Sequence, residues 1–324
     1  MSGADHFDLL DPFLRMLDAV AGADAVRALE AGGPVDAIWQ AIGESGYLDA
    51  LVAERAGGAG LMLTAIAPLI EALGARALPL PIADTMVARA VLADAGLAAP
   101  AGPIVLVSSL AQPVAGARFA DHALVDTGDA LVLSPLAALC PQPTDVHGSS
   151  AALLTGTAQG PVLARPADGL RATAAVLRAL LIAGAAARVT AMSTAYANER
   201  VQFGKPIGRQ QAVQQALAVM AQDMVACRIA AHLAAARGLP VPLASAASAK
   251  ITTSIAAVRL ANSAHAVHGA IGISAAYDLQ LLTRRLHEWR LADGSEGYWA
   301  GVLGSARLAS ADTTLDWVRA EVFG

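Results

Sequence analysis

The sequence predicts a mainly α protein in three successive regions: helical over 1–98, a reduced β region over 99–168, and a helical bundle over 169–324. Three observations carry this. Apolar residues make up 56% of the 324 residues and aromatics only 4%, and alanine is the largest part of the apolar count. Alanine is the best helix former and adds little volume, which suits closely packed helices. Glycine and proline punctuate short apolar runs in the middle region, whereas the stretches after 169 are long and apolar with few breaks.

In the first region, Pro34 stands where a helix can start, ahead of the segment from Val35 to Leu48. Gly57, Gly58 and Gly60 break the chain. A second helix follows from Leu63 to Leu78, ended by Pro79 and Pro81. In the middle region, Pro103–Val107 and Ala130–Leu133 read as strands, and Leu139–Ser150 as loop. In the third region, helices are expected at about 170–200, 209–237, 242–270 and 276–286, with one more after about 295. The break Gly238-Leu239-Pro240 separates two of them.

Net charge is −5, which argues against a nucleic-acid partner, since such proteins carry a basic face. Cys140 and Cys227 are the only cysteines. Two distant cysteines make neither a disulfide framework nor a metal motif, and they suit a reducing, cytoplasmic compartment. The acidic start lacks the basic and apolar regions of a signal peptide. The apolar stretch Ala172–Val189 is interrupted by Arg178 and Arg188, and reads as a buried helix rather than a membrane span.

Two segments carry chemistry. The first is Glu199-Arg-Val-Gln-Phe-Gly-Lys-Pro-Ile-Gly-Arg-Gln-Gln211, a helix end, a glycine–proline turn and a new helix. By position alone Arg200 is a cation at a helix C-terminus, favoured there by the dipole. The second is His265-Ala-Val-His-Gly-Ala-Ile-Gly-Ile273, a glycine turn between two helices. His265 and His268 read first as helix-end residues with local bonds and second as ligand contacts.

Together these segments resemble the acyl-CoA dehydrogenase family, as does the run Trp39–Leu48 with Gly57–Gly60 and Glu71–Pro81. The resemblance covers about 35–95 and 170–308. It implies FAD as cofactor. Arg200 would grip the diphosphate, for which a planar guanidinium donating two parallel bonds is suited. Gln202 and Phe203 would flank the same dinucleotide, and Ile207, Gln210 and Gln211 would lie near its adenine end. Gly269, Ala270 and Gly272 would let the backbone approach the diphosphate. In the family these residues serve a neighbouring subunit's FAD, so the motif implies an oligomer. Where the family has a glutamine before the glycine turn, this chain has Ala266.

The family's chemistry removes a proton α to a thioester carbonyl while the β hydrogen passes to the flavin as hydride. It needs a carboxylate base in an apolar pocket. Asp293-Gly294-Ser295 falls where the family has Glu-Gly-Thr, which makes Asp293 the candidate base and Ser295 a cofactor contact. Asp293 nonetheless reads first as the cap of the next helix and second as a base. Glu288 and Glu296 are placed on solvated helix faces. The family's flavin-ring motifs are not recognisable in 99–168, and Ala172 and Ala175 replace residues that contact substrate in many members. That pattern resembles the smaller chains of heteromeric, steroid-type acyl-CoA dehydrogenases. It implies an acyl-CoA substrate, a larger acyl-CoA dehydrogenase-like partner that supplies the base, a heterotetramer, and an electron-transfer flavoprotein as acceptor. A non-catalytic scaffold or pseudoenzyme that keeps the fold is the alternative.

Overall fold

The computed structural model describes residues 7–324; the acidic start, residues 1–6, lies outside them. Five helices come first: α1 (Phe7–Val20), α2 (Ala23–Glu30), α3 (Asp36–Glu44), α4 (Leu63–Ala75) and α5 (Ile82–Asp94). Helix α4 stops at Ala75, before the expected end, because Ala77 turns the chain at φ +53°. The strands follow: β1 (Ile104–Val107), β2 (His122–Asp126), β3 (Ala130–Pro135), β4 (Pro141–Pro143), β5 (Ala152–Leu154) and β6 (Val162–Ala164). Four of them form a sheet in the order β1-β2-β3-β6, with β1 parallel to β2 and the other pairs antiparallel. The expected loop over 139–150 contains β4, which pairs with β5.

The third region opens with α6 (Arg171–Glu199), followed by a two-strand hairpin, β7 (Val201–Gln202) and β8 (Lys205–Pro206). Helices α7 (Gln211–Ala235), α8 (Leu243–His268), α9 (Leu279–Leu291), α10 (Glu296–Ala309) and α11 (Thr314–Trp317) follow, and α11 runs into a π-helical turn, Val318–Phe323. A 3-10 turn, Gly269–Ile273, joins the end of α8 to α9.

Small residues make the packing possible. A Cβ on Gly184 of α6 would stand 1.8 Å from the Glu71 carbonyl oxygen of α4. One on Gly74 of α4 would stand 2.0 Å from the Leu181 carbonyl oxygen. The two helices therefore cross backbone to backbone, each glycine facing the other helix, which any side chain would prevent.

Helices α6 and α7 are both long and apolar enough to cross a bilayer by length and composition. In α6, 78% of the apolar window is buried inside this fold, which accounts for its composition. In α7 only 22% is, and Val219, Val225, Ile229 and Leu233 are exposed along it.

Candidate cofactor-binding and catalytic sites

Arg200 is the residue that ends α6. Its N–H donates to the Tyr196 carbonyl at 2.8 Å, and its own carbonyl accepts from the Ile207 N–H at 2.8 Å. These bonds close the hairpin and set Arg200 at its base. The Arg200 side chain is exposed, as are those of Gln202 and Phe203, and Phe203 sits at the turn with φ +52°. Ile207 is buried, while Gln210 is the half-buried residue before α7.

The second segment lies beside the first. Ala197, Ile207 and Val267 form one buried apolar cluster, which fixes the hairpin against the last turn of α8. Two segments about seventy residues apart in sequence are thus brought to the same end of the bundle. Gly269 adopts φ +61° and ψ −142°, a conformation confined in practice to glycine, and no atom would meet a Cβ there within 4 Å. Its backbone is accessible, as is Ala270. Gly272 is buried for a different reason: a Cβ would meet His268 Cβ at 3.0 Å and Leu279 Cδ2 at 3.1 Å.

The residues present fit a dinucleotide diphosphate. An exposed guanidinium at a hairpin base and an open glycine backbone offer charge-assisted and main-chain donors respectively. His265 and His268 each make one local bond. His265 Nε2 lies 3.0 Å from Thr283 Oγ1, and His268 Nδ1 lies 2.8 Å from the Ala264 carbonyl oxygen. The other ring nitrogen of each is buried and without a partner among the described residues.

Asp293 is not part of that surface. It stands in the α9–α10 turn at φ +57° and is 6% exposed. The Ser108 hydroxyl donates to its Oδ1 at 2.7 Å, and Arg178 Nε donates to its Oδ2 at 3.1 Å. Arg178 also grips Asp84 of α5 through both terminal nitrogens, at 2.8 and 2.7 Å. Burial alone would depress the Arg178 guanidinium, but the two carboxylates outweigh it and hold it above the usual arginine range. Asp293 does not cap α10 through its side chain; Ser295 precedes that helix, and the Asp293 carboxylate points inward to Arg178. Its backbone carbonyl accepts from Trp299 Nε1 at 3.1 Å.

Lys250 of α8 completes the buried cluster. It is wholly enclosed and donates to the Trp289 and Arg290 carbonyls at the end of α9, just before Asp293. Burial pulls its ammonium down to about 7, against the opposing pull of the Asp293 carboxylate.

Ala172 and Ala175 are buried in the core, and Asp293 lines none of five cavities of about 270 to 620 Å³. The largest of these lies between the sheet and α6, where Arg171 stands 4.9 Å over the Tyr298 ring.

The expectation for Glu288 is corrected. It is not on a solvated face: it accepts from Ser149 Oγ at 2.9 Å, from the Ser150 N–H at 3.0 Å and from Arg285 Nη1 at 3.1 Å. It therefore ties the loop before β5 to α9. Glu296 pairs with Arg290 on a half-buried surface.

The family model for the acyl-CoA dehydrogenase C-terminal domain matches residues 171–306, the part that contains both cofactor segments and Asp293. The fold and this match are those of acyl-CoA dehydrogenase-like proteins. The chain is 32% identical over 283 residues to the acyl-CoA dehydrogenase IpdE2 of Mycobacterium tuberculosis, covering 82% of this chain and 86% of that one. It belongs to the acyl-CoA dehydrogenase family. Among solved structures, the ChsE4–ChsE5 complex of Mycobacterium tuberculosis shares the fold, with a TM-score of 0.82 at 20% identity, covering 96% of this chain and 99% of that one. The Tcur3481–Tcur3483 steroid ACAD does so with a TM-score of 0.79 at 23% identity, covering 95% and 99%.

Proposed function

We propose that this chain is one subunit of a cytoplasmic, heteromeric FAD-dependent acyl-CoA dehydrogenase that introduces an α,β double bond into a bulky, steroid-type acyl-CoA. The single observation that carries the proposal is a pairing of opposites. The Arg200 hairpin and the Gly269 turn stand together and open, while the one carboxylate at the position of a base is sealed against Arg178. An open arginine and glycine surface that fits a diphosphate, beside a carboxylate turned inward, supports the reading.

Bound FAD would accept the hydride. Arg200 would hold the diphosphate by charge-assisted donation, and the Gly269 and Ala270 backbone would approach it from the other side. Phe203, exposed at the hairpin tip, would pack against the dinucleotide together with Gln202. Ile207 anchors the hairpin from below, and Gln210 and Ser295 are further contacts on this reading. The base would come from a larger acyl-CoA dehydrogenase-like partner, because the Asp293 carboxylate is engaged by Arg178 and Ser108 and lines none of the five cavities. An electron-transfer flavoprotein would reoxidise the complex. The steroid ACAD and the ChsE4–ChsE5 complex, both of two named components, support the heteromeric assembly and the bulky acyl group.

A scaffold without redox chemistry is the second reading, favoured by the sealed Asp293. Co-purification with a larger homologue distinguishes the two. A yellow complex with dehydrogenase turnover supports the first, and a colourless, inactive complex after addition of FAD supports the second.

A further inference from the structure

The last turn of α8 contains an arrangement that the diphosphate reading leaves unused. His268 is 3% exposed and lies flat on Tyr196, with ring centroids 4.5 Å apart and planes 25° apart. Tyr277 meets it from the side, tilted by 53° with ring centroids 5.3 Å apart. Tyr196 is the residue whose carbonyl accepts from the Arg200 N–H, and His268 is the residue before Gly269. The ring stack therefore joins the root of the arginine hairpin to the root of the glycine turn, next to the apolar contacts of Ala197, Ile207 and Val267. Gly272 packs on the same histidine's Cβ.

We propose that His268 is a positioning residue that holds the two cofactor segments in register as a neutral ring, so that the complex loses its flavin on mild acidification. The inference rests on the FAD reading above and adds a residue and a condition to it. Nδ1 is committed to the Ala264 carbonyl, which fixes the neutral tautomer with the proton on that nitrogen. Nε2 is then a bare lone pair, buried and without a partner among the described residues. A proton added there has no acceptor, and a buried donor left unpaired is costly.

The groups around the ring do not reverse this. Burial holds the Tyr277 phenol above its ordinary range, and His265 on the same helix would add a second positive charge. Glu199 and Asp278, with Arg188, lie around Tyr277 and make no hydrogen bond to His268 among the described residues. Burial, the largest influence, pushes the His268 ring below its ordinary range; the Ala264 bond opposes it, and His265 adds to it. A histidine lowered in this way contributes stability above its unfolded value of about 6.5, and that contribution is lost as pH falls through the folded-state value.

The test uses the co-purified heteromer, with the flavin-to-protein absorbance ratio after desalting between about pH 5 and 8, the window of imidazole titration. Wild type should lose flavin severalfold towards the acid end. His268→Phe, which keeps the stack and cannot titrate, should retain it evenly, and His268→Gln should also be flat at a lower level. Hydrogen exchange of residues 200–207 and 269–274 in the chain alone, referenced to intrinsic rates at each pH, reads the same coupling without cofactor. Both segments should lose protection together in wild type and not in His268→Phe. If the complex is colourless at every pH, the FAD reading fails, and the exchange experiment still decides the role of His268. A flat wild-type profile, or a His268→Phe profile that titrates like wild type, would overturn the proposal.

Discussion

Arg178 and Asp293 lie 115 residues apart and meet through a single 3.1 Å bond from Nε to Oδ2. That bond joins the core of α6 to the α9–α10 turn. Because the same guanidinium holds Asp84 of α5, it ties the N-terminal helices to the bundle at the position where the resemblance placed a catalytic base.

Asp293→Asn separates the roles of this carboxylate. With a partner-supplied base, turnover of the complex should stay within a few-fold of wild type. Stability should drop by roughly 3 kcal/mol, the lower end of the cost of breaking a buried pair, since Arg178 keeps Asp84. Steady-state rates and urea unfolding of the complex check both halves. Abolished turnover with normal ligand binding would make this chain catalytic in its own right.

Lys250 makes a pH prediction. Its folded value of about 7 lies below the ordinary 10.5, so between those values the unfolded chain binds more protons and stability rises with pH. Lys250→Met should lose this rise, along with the donors to the Trp289 and Arg290 carbonyls. Melting temperatures of the two proteins, followed from about pH 7 to 10, should diverge in favour of wild type. The buried Cys227 thiol, pushed up to about 12, acts in the opposite sense above about 9, but equally in both proteins. Parallel curves would contradict the account of the cluster.

Gly184→Ala tests the backbone crossing of α4 and α6. A methyl 1.8 Å from the Glu71 carbonyl must force the helices apart. Overpacking of this kind costs about 1–3 kcal/mol. An unchanged denaturation midpoint would show that the crossing is looser than described.

Much of this was legible in sequence, because local pattern decides it. The Arg200 hairpin and the Gly269 turn are contiguous strings whose glycines and arginine are dictated by short-range geometry. Helix α6 could be placed from its alanine-rich run alone. What was not legible depends on pairing at long range. Arg178 reads in sequence as an interruption of an apolar helix, and its partners Asp84 and Asp293 are 94 and 115 residues away. Glu288 looked like a surface residue because Ser149 and Ser150, which bury it, belong to a distant loop. Lys250 gave no signal, since its partners are backbone carbonyls at the end of another helix.

The exposed apolar residues of α7 and the open Arg200 and Gly269 segments at one end of the bundle both suit a partner surface. Light scattering on the chain alone and with a larger homologue should report assembly in the second case at least. A well-behaved monomer under both conditions would exclude the heteromer.

On the proposed function, Arg200 and the Gly269 turn form the diphosphate face of an FAD site. The most direct measurement is the flavin absorbance of the purified complex with wild-type chain, with Arg200→Ala and with Arg200→Lys. Wild type should retain flavin, Arg200→Ala should lose most of it at unchanged helical content, and Arg200→Lys should recover part, because an ammonium keeps the charge but not the paired donors. Equal flavin content in all three would contradict the claim and leave Arg200 as a residue that only ends a helix.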